Sequence, residues 1–162
     1  MIRVGLGHDT HRFSPDRPLI LGGLRIEHPR GLIGHSDADV VLHALTDALL
    51  GALGLGDIGD AYPDTDPQNK DRDSRLFLEG ALAQLRDRGF HVVNVDLTIF
   101  AQEPKLGPIK MAMREHLATL LGLEKEAVNV KAKTGEKVGA IGRAEAIGCH
   151  AVVLIERPDV VG

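Results

Sequence analysis

Tryptophan is absent, aromatic side chains make up 3% of the residues, and Cys149 is the only cysteine. One thiol cannot form a disulfide within the chain, and such usage suits a reducing compartment, so the expected location is the cytoplasm. Scarce aromatics leave little on which unpaired bases could stack. There is no basic stripe either: formal net charge is -4, with Lys and Arg scattered along the chain, against the phosphate affinity of nucleic-acid binders. No apolar run reaches the ~18 residues that span a bilayer, because His, Asp or Gly interrupts each one. Met1 to Gly7 read straight into a strand, so no signal or transit leader is expected. These absences leave a charged small molecule as the expected partner, with no nucleic acid and no membrane.

What is present suffices for one domain, because 162 residues can bury roughly 70% of their unfolded surface without staples. That domain is expected over 1–157, with 158–162 a disordered tail. Ile2 to Gly7 reads as a strand, and Leu19–Leu21 and Leu24–Ile26 as a hairpin turning at Gly22-Gly23. Ser36 is placed to cap a helix from about Asp37, in which Val40, Val41, Ala44, Leu45, Ala48, Leu49 and Ala52 recur at helical spacing until Gly54. The Gly-, Asp- and Pro-rich stretch 55–72 reads as a functional loop. A second helix, capped by Ser74, runs to Arg88 and stops at Gly89. Alternation from Val93 to Phe100 predicts a strand. A helix over 108–121, a strand from Val128 to Lys133, a short helix near Glu136 and a last strand from Ala146 to Ile155 follow. This order predicts an α+β single domain, a mixed β-sheet with helices on one face, whose open face a homo-oligomer would cover.

The chemistry concentrates near the start. In Gly7-His8-Asp9-Thr10-His11, at the end of the first strand, Asp9 and His11 are two apart and share a face, so both can reach one ion. His43, on the following helix, can complete the set. Three mixed nitrogen and oxygen ligands leave a tetrahedral position open, as in catalytic zinc sites. A plainer reading makes them surface residues, with Asp9 capping a turn. His35-Ser36-Asp37 precedes the helix, whose free N–H groups attract an anion. Asp37 and Asp39 read best as complements of the helix dipole, with a supporting role behind the metal open to one of them. Gly5-Leu6-Gly7 lacks the third glycine of a dinucleotide fingerprint, Gly135 to Gly139 lacks P-loop spacing, and the acidic loop 57–66 lacks EF-hand spacing.

Five segments together carry a family resemblance: G-H-D-x-H at 7–11, H-S-D-A-D-V-x-x-H-A-L-T-D-A-L-L-G-A at 35–52, G-D-I-G-x-x-Y-P-D-T-D at 56–66, V-D-x-T-I-x-A-Q-x-P-K at 95–105, and E-K-x-G-x-x-G-R at 136–143. The chain resembles the methylerythritol cyclodiphosphate synthases of non-mevalonate isoprenoid synthesis. The resemblance implies a homotrimer around a β-lined three-fold axis, with sites between subunits and a cytidine diphosphate substrate. It implies a lyase-type reaction releasing CMP, with Zn2+ held by Asp9, His11 and His43, and Mg2+ or Mn2+ bridging the diphosphate with help from Glu136. It assigns His35 and Thr134 to transition-state stabilisation, and Ser36 with His35 to phosphate binding. Asp57, Ile58, Gly59, Tyr62, Pro63, Asp64, Thr65 and Asp66 correspond to contacts over the methylerythritol part. Ala101, Gln102, Glu103, Pro104, Lys105, Leu106 and Gly107 correspond to the cytidine pocket, and Arg143 to a phosphate contact near the axis.

Some positions depart from the family pattern. Lys133 and Gly135 flank Thr134 where a threonine run is usual and Ala140 stands where a bulky aromatic is frequent, all three still at positions the resemblance assigns to substrate binding, and Glu103 has no evident role in the cytidine loop. Read without the resemblance, Thr134 is a strand-end hydroxyl, Asp64 a turn former, Lys105 a solvated charge and Arg143 an ion-pair partner of Glu145. Two other readings use the same ligands: a metal-dependent phosphoesterase, in which water takes the open position, and a non-catalytic nucleotide or metal sensor.

Overall fold

Extended backbone sends successive side chains to opposite faces, and in this chain the two faces of the sheet meet different surroundings. The computed structural model describes residues 1–63 and 65–158; Asp64 and 159–162, most of the expected tail, lie outside. Strand β1 (Ile2–Ser14) pairs antiparallel with the late strand Ala146–Glu156, from Ile2 opposite Glu156 to Arg12 opposite Ala146. It is twice the expected length. The apolar alternation stops at Gly7, but the backbone ladder does not, so Asp9 and His11 lie within the strand rather than at its end.

The hairpin of β2 (Leu19–Leu21) and β3 (Leu24–Ile26) forms where expected, and β4 (Gly31–Leu32) returns to pair with β1 at Phe13 and Ser14. Helix α1 (Val40–Leu53) begins three residues later than its spacing predicts, and Asp39, not Ser36, is its N-cap. Asp39 wins because its carboxylate satisfies two sets of donors. It accepts from the Val41 and Leu42 N–H groups and also from those of Gly22 and Gly23, latching the hairpin turn to the helix start. Burial pushes its pKa up, against the pull of those N–H groups.

The expected loop 55–72 contains a helical turn, α2 (Ile58–Ala61), closed by a reciprocal Asp57–Asp60 capping box, and a 3-10 turn at Pro67–Asn69 capped by Asp66. Helix α3 (Ser74–Asp87) is capped by Asp73 rather than Ser74. Strand β5 (His91–Phe100) pairs antiparallel with the last strand, and crosses over through α4 (Lys110–Leu121) to pair in parallel with β6 (Val128–Lys133). The short helix expected near Glu136 forms later, as α5 (Gly139–Gly142), because Glu136 and Lys137 occupy a left-handed turn (φ 48° and 63°). With β7 (Ala146–Glu156) the sheet order is β4-β1-β7-β5-β6, so the expected single α+β domain with a mixed sheet is observed.

Helix α1 is buried on all sides except at Asp47 and Gly51, lying between the sheet and α3. What brings it onto β1 is the pair of glycines at 5 and 7. A Cβ at Gly5 would sit 1.8 Å from the Ala48 carbonyl oxygen, and one at Gly7 would sit 1.9 Å from that of Ala44. Backbone therefore meets backbone there. Cys149 on β7 is buried on this face, where desolvation raises its thiol pKa well above the ordinary value. The opposite face is open: Ile2, Val4 and Leu6 are about two-thirds exposed (65%, 66% and 68%) and Val152 is 40% exposed. Among the described residues no helix is long and apolar enough to cross a membrane.

Candidate metal centre

On the covered face of β1 the side chains run Gly5, Gly7, Asp9, His11. The two glycines admit α1; the next two positions carry donors that meet the helix's first turn, where His43 sits. Asp9 Oδ2 lies 2.9 Å from both His11 Nε2 and His43 Nδ1, and the two nitrogens are 3.1 Å apart. A tetrahedral ion with bonds of about 2.0–2.1 Å needs ligand atoms about 3.3 Å apart, so this triangle fits a small divalent cation after a slight expansion. Among the described residues it is the one group of three His, Cys, Asp or Glu side chains whose ligand atoms converge.

The far nitrogens support the same reading. His11 Nδ1 faces the Ile33 carbonyl at 2.9 Å. A carbonyl only accepts, so Nδ1 carries the hydrogen and Nε2 turns its lone pair toward the triangle. Gly34 lies against the ring, where a Cβ would come within 2.8 Å of His11 Cε1. Arg17 donates to the Gly34 carbonyl at 2.8 Å and to that of Ser36, holding this backbone in place. Burial disfavours the Asp9 charge, but hydrogen bonds and charge from His11 and His43 outweigh it, so its pKa falls far below the carboxylate range. Burial likewise lowers His43, yet the hydrogen bond and charge of Asp9, with Asp39 and Asp37 behind, carry its pKa above 6.5. A site that holds a proton this firmly between a carboxylate and an imidazole is an electronegative pocket for a cation.

The triad forms the floor of a cleft of about 390 Å³ that His35, Ser36, Ile58, Gly59, Tyr62 and Pro63 also line, with Asn69 and Phe77 as wall residues not anticipated from sequence. Tyr62 packs on Phe77 at 4.7 Å between ring centroids. Asp57, Thr65 and Asp66 stand outside the lining; Asp57 and Asp66 are spent as helix caps, and Asp64 lies outside the described residues.

The remaining expected residues gather elsewhere. Ala101, Gln102, Pro104, Lys105, Leu106 and Gly107 line a second cavity of about 420 Å³ together with Lys133 and Thr134. Gln102 Oε1 is buried there with no hydrogen-bond partner among the described residues. Thr134 donates to Glu136 at 2.8 Å, so the carboxylate assigned to a second ion sits beside this cavity, apart from the triad. Gly135 packs against the Gly142 backbone, where a Cβ would come within 2.3 Å of the Gly142 nitrogen. Glu103 turns out of the second cavity: its carboxylate meets Arg30 and lies 3.5 Å from His28 Nε2. Arg30 also donates to the Ala144 carbonyl at 3.1 Å and stacks over Phe13 at 4.3 Å. Ala140 and Arg143 line a third hollow with Arg12 and Arg30, and Arg143 pairs with Glu145 at 2.7 Å, as the plainer reading has it.

The YgbB family model matches residues 2–156. A 2-C-methyl-D-erythritol 2,4-cyclodiphosphate synthase from Dechloromonas aromatica is 56% identical over 96% of this chain and 97% of its own length. One from Thermosynechococcus vestitus is 51% identical over 96% of each chain. Among solved structures, a bifunctional IspDF from Campylobacter jejuni superposes with a TM-score of 0.93 at 45% identity over 98% of this chain. This chain spans 43% of that longer protein. A CDP-bound 2C-methyl-D-erythritol-2,4-cyclodiphosphate synthase superposes with a TM-score of 0.88 at 41% identity, covering 95% of this chain and all of the other. With a metal-ready triad at the foot of a cleft and this likeness along nearly its whole length, the chain belongs to the YgbB family of 2-C-methyl-D-erythritol 2,4-cyclodiphosphate synthases.

Proposed function

We propose that this chain converts 4-diphosphocytidyl-2-C-methyl-D-erythritol 2-phosphate to 2-C-methyl-D-erythritol 2,4-cyclodiphosphate and CMP, in the cytoplasm, as a phosphorus–oxygen lyase of isoprenoid synthesis. The observation that carries the reading is the Asp9–His11–His43 triangle opening into a cleft, in a chain whose curated relatives bear that activity in their names. In the reaction an oxygen of the 2-phosphate forms a bond to the β-phosphorus. The bond from that phosphorus to the bridging oxygen breaks, and its electron pair leaves on the phosphate of CMP.

Two anions must meet, so the protein's task is to neutralise and align them rather than to supply a nucleophile. Zn2+ on the triad and Mg2+ or Mn2+ near Glu136 would supply the positive charge that offsets the reacting phosphates. Ser36 can give its hydroxyl proton to a phosphate oxygen, and exposed His35 stands at the cleft to do the same. Ile58, Gly59, Tyr62 and Pro63 present an apolar wall to the carbon skeleton. In the second cavity, buried Gln102 Oε1 is an acceptor awaiting a donor such as a base amino group, and Lys105 and Lys133 bring positive charge. Thr134, whose hydroxyl now donates to Glu136, would turn its proton to the phosphate under attack once Glu136 is taken up by the second ion.

The two cavities lie apart on one chain, so the complete site needs a neighbouring subunit whose second cavity faces this triad. A homotrimer supplies it, and the exposed apolar stripe of β1 and β7 favours such packing. Phosphorus NMR of the products, with CMP quantified, tests the assignment. A cyclic diphosphate with one CMP per turnover is the expected result. Inorganic phosphate as the main product would assign a phosphoesterase, and binding without CMP release at any metal composition would assign a sensor.

A further inference from the structure

Behind His43, on the side away from Asp9, stands a buried hydroxyl backed by a carboxylate. Ser74, the first residue of α3, is fully buried, and its Oγ lies 2.7 Å from His43 Nε2. That hydroxyl donates to Asp37 Oδ1, while Asp37 Oδ2 accepts the Ser74 backbone N–H at 3.0 Å. A carboxylate only accepts. The one proton of the Ser74 hydroxyl is therefore committed to Asp37, and its oxygen can only accept from His43. It follows that Nε2 keeps its hydrogen with or without metal, and the hydrogen that Nδ1 donates to Asp9 at 2.9 Å is the one a cation displaces to take the Nδ1 lone pair. Ser36 Oγ, at 3.0 Å from the same nitrogen, has no carboxylate among the described residues to take its proton; its oxygen accepts from the Ala38 N–H, which leaves the hydroxyl proton available to a ligand.

Asp37 is itself fixed from two directions. Its backbone N–H donates to the Arg72 carbonyl at 3.2 Å, and its Oδ1 accepts from the Asp39 N–H at 3.1 Å. Both the segment leading into α1 and the one leading into α3 thus orient it. We infer that Asp37 and Ser74 are positioning residues of the metal centre: their relay selects Nδ1 as the ligand atom of His43 and locks the ring's orientation. The inference rests on the triad being a metal centre. Outer hydrogen bonds of this kind typically change metal affinity 10–100-fold.

Zinc affinity, read by chelator competition on the metal-depleted full-length protein, separates the possibilities. Ser74→Ala is expected to weaken zinc about 10–100-fold, while Ser74→Thr, which keeps the hydroxyl, restores most of it. Wild-type affinity in Ser74→Ala would overturn the relay and leave the metal centre standing; no zinc binding by the wild type would overturn both. Should Ser74→Ala fail to fold, nitrogen-resolved imidazole NMR of the zinc-loaded wild type gives the answer. Hydrogen on Nε2 and metal on Nδ1 of His43 is the expected pattern, and the reverse overturns the inference.

Discussion

At His43 a proton and a cation compete for one lone pair. Desolvation favours the neutral imidazole, but the hydrogen bond and charge of Asp9 override it, so the metal-free protein holds this proton more tightly than 6.5 implies. The sign follows: zinc affinity is full above the raised His43 value and falls, about tenfold per pH unit for one displaced proton, as the pH drops through it. Asp9, whose pKa is lowered, adds no competing proton until the solution is far more acidic. The zinc dissociation constant measured across pH should therefore begin to rise, on acidification, already above the ordinary imidazole value of 6.5. A dissociation constant that stays flat from about pH 8 to about pH 5 would mean that His43 is not a ligand. The triad was legible in the sequence because spacing by two within a strand puts Asp9 and His11 on one side, and His43 follows the motif that starts the helix. Ser74 was not, because its contact with His43 spans 31 positions and reads locally as an ordinary cap.

Among the elements, the contact between β1 and α1 sets the geometry of the centre. Glycine at 5 and 7 is required by closeness rather than by turn formation, a need that nothing local in Gly5-Leu6-Gly7 announces because the groups it approaches lie some forty positions on. Gly7→Ala would press a methyl into the Ala44 carbonyl, and the cost should be on the order of 3 kcal/mol in urea unfolding, with weakened zinc binding although no ligand has changed. Unaltered stability would show that the helix can shift freely. Element boundaries were less legible than elements. Asp39 displaced Ser36 as the cap through bonds to a hairpin some sixteen positions away, which no local pattern contains. The polar half of β1 hid its length, since it is held by pairing with β7. Glu103, silent in the sequence, ties the 101–107 loop to Arg30 and through it to Ala144. The pair is partly solvated, at 35% and 46% exposure, so it is worth about 1 kcal/mol at most. Glu103→Ala should weaken CDP up to about fivefold by calorimetry while zinc affinity holds and the melting temperature falls by no more than about 4 °C. An unchanged CDP affinity would leave the strap without a role in that pocket.

For the molecule as a whole, the apolar stripe on the open face is the surface through which the proposed trimer would form. Leu6 is 68% exposed on one chain, and a leucine fully covered in an interface is worth about 1.5–3 kcal/mol. Leu6→Asp should turn the proposed trimer into monomers by sedimentation, keep zinc on each chain and abolish turnover. A mutant that still sediments as a trimer would place the interface elsewhere. Single-domain α+β architecture was readable from the order of elements; which copies cover the sheet was not, since the stripe names no partner.

Cys149 carries a consequence for measurement. Its thiol is sealed beneath α1 and kept protonated by its surroundings, so a disulfide reagent in solution finds no reactive sulfur in the native protein. Colour development with such a reagent would thus clock the opening of the layer between helix and sheet, and bound zinc, by pinning the first turn of that helix to the strand, should slow the clock.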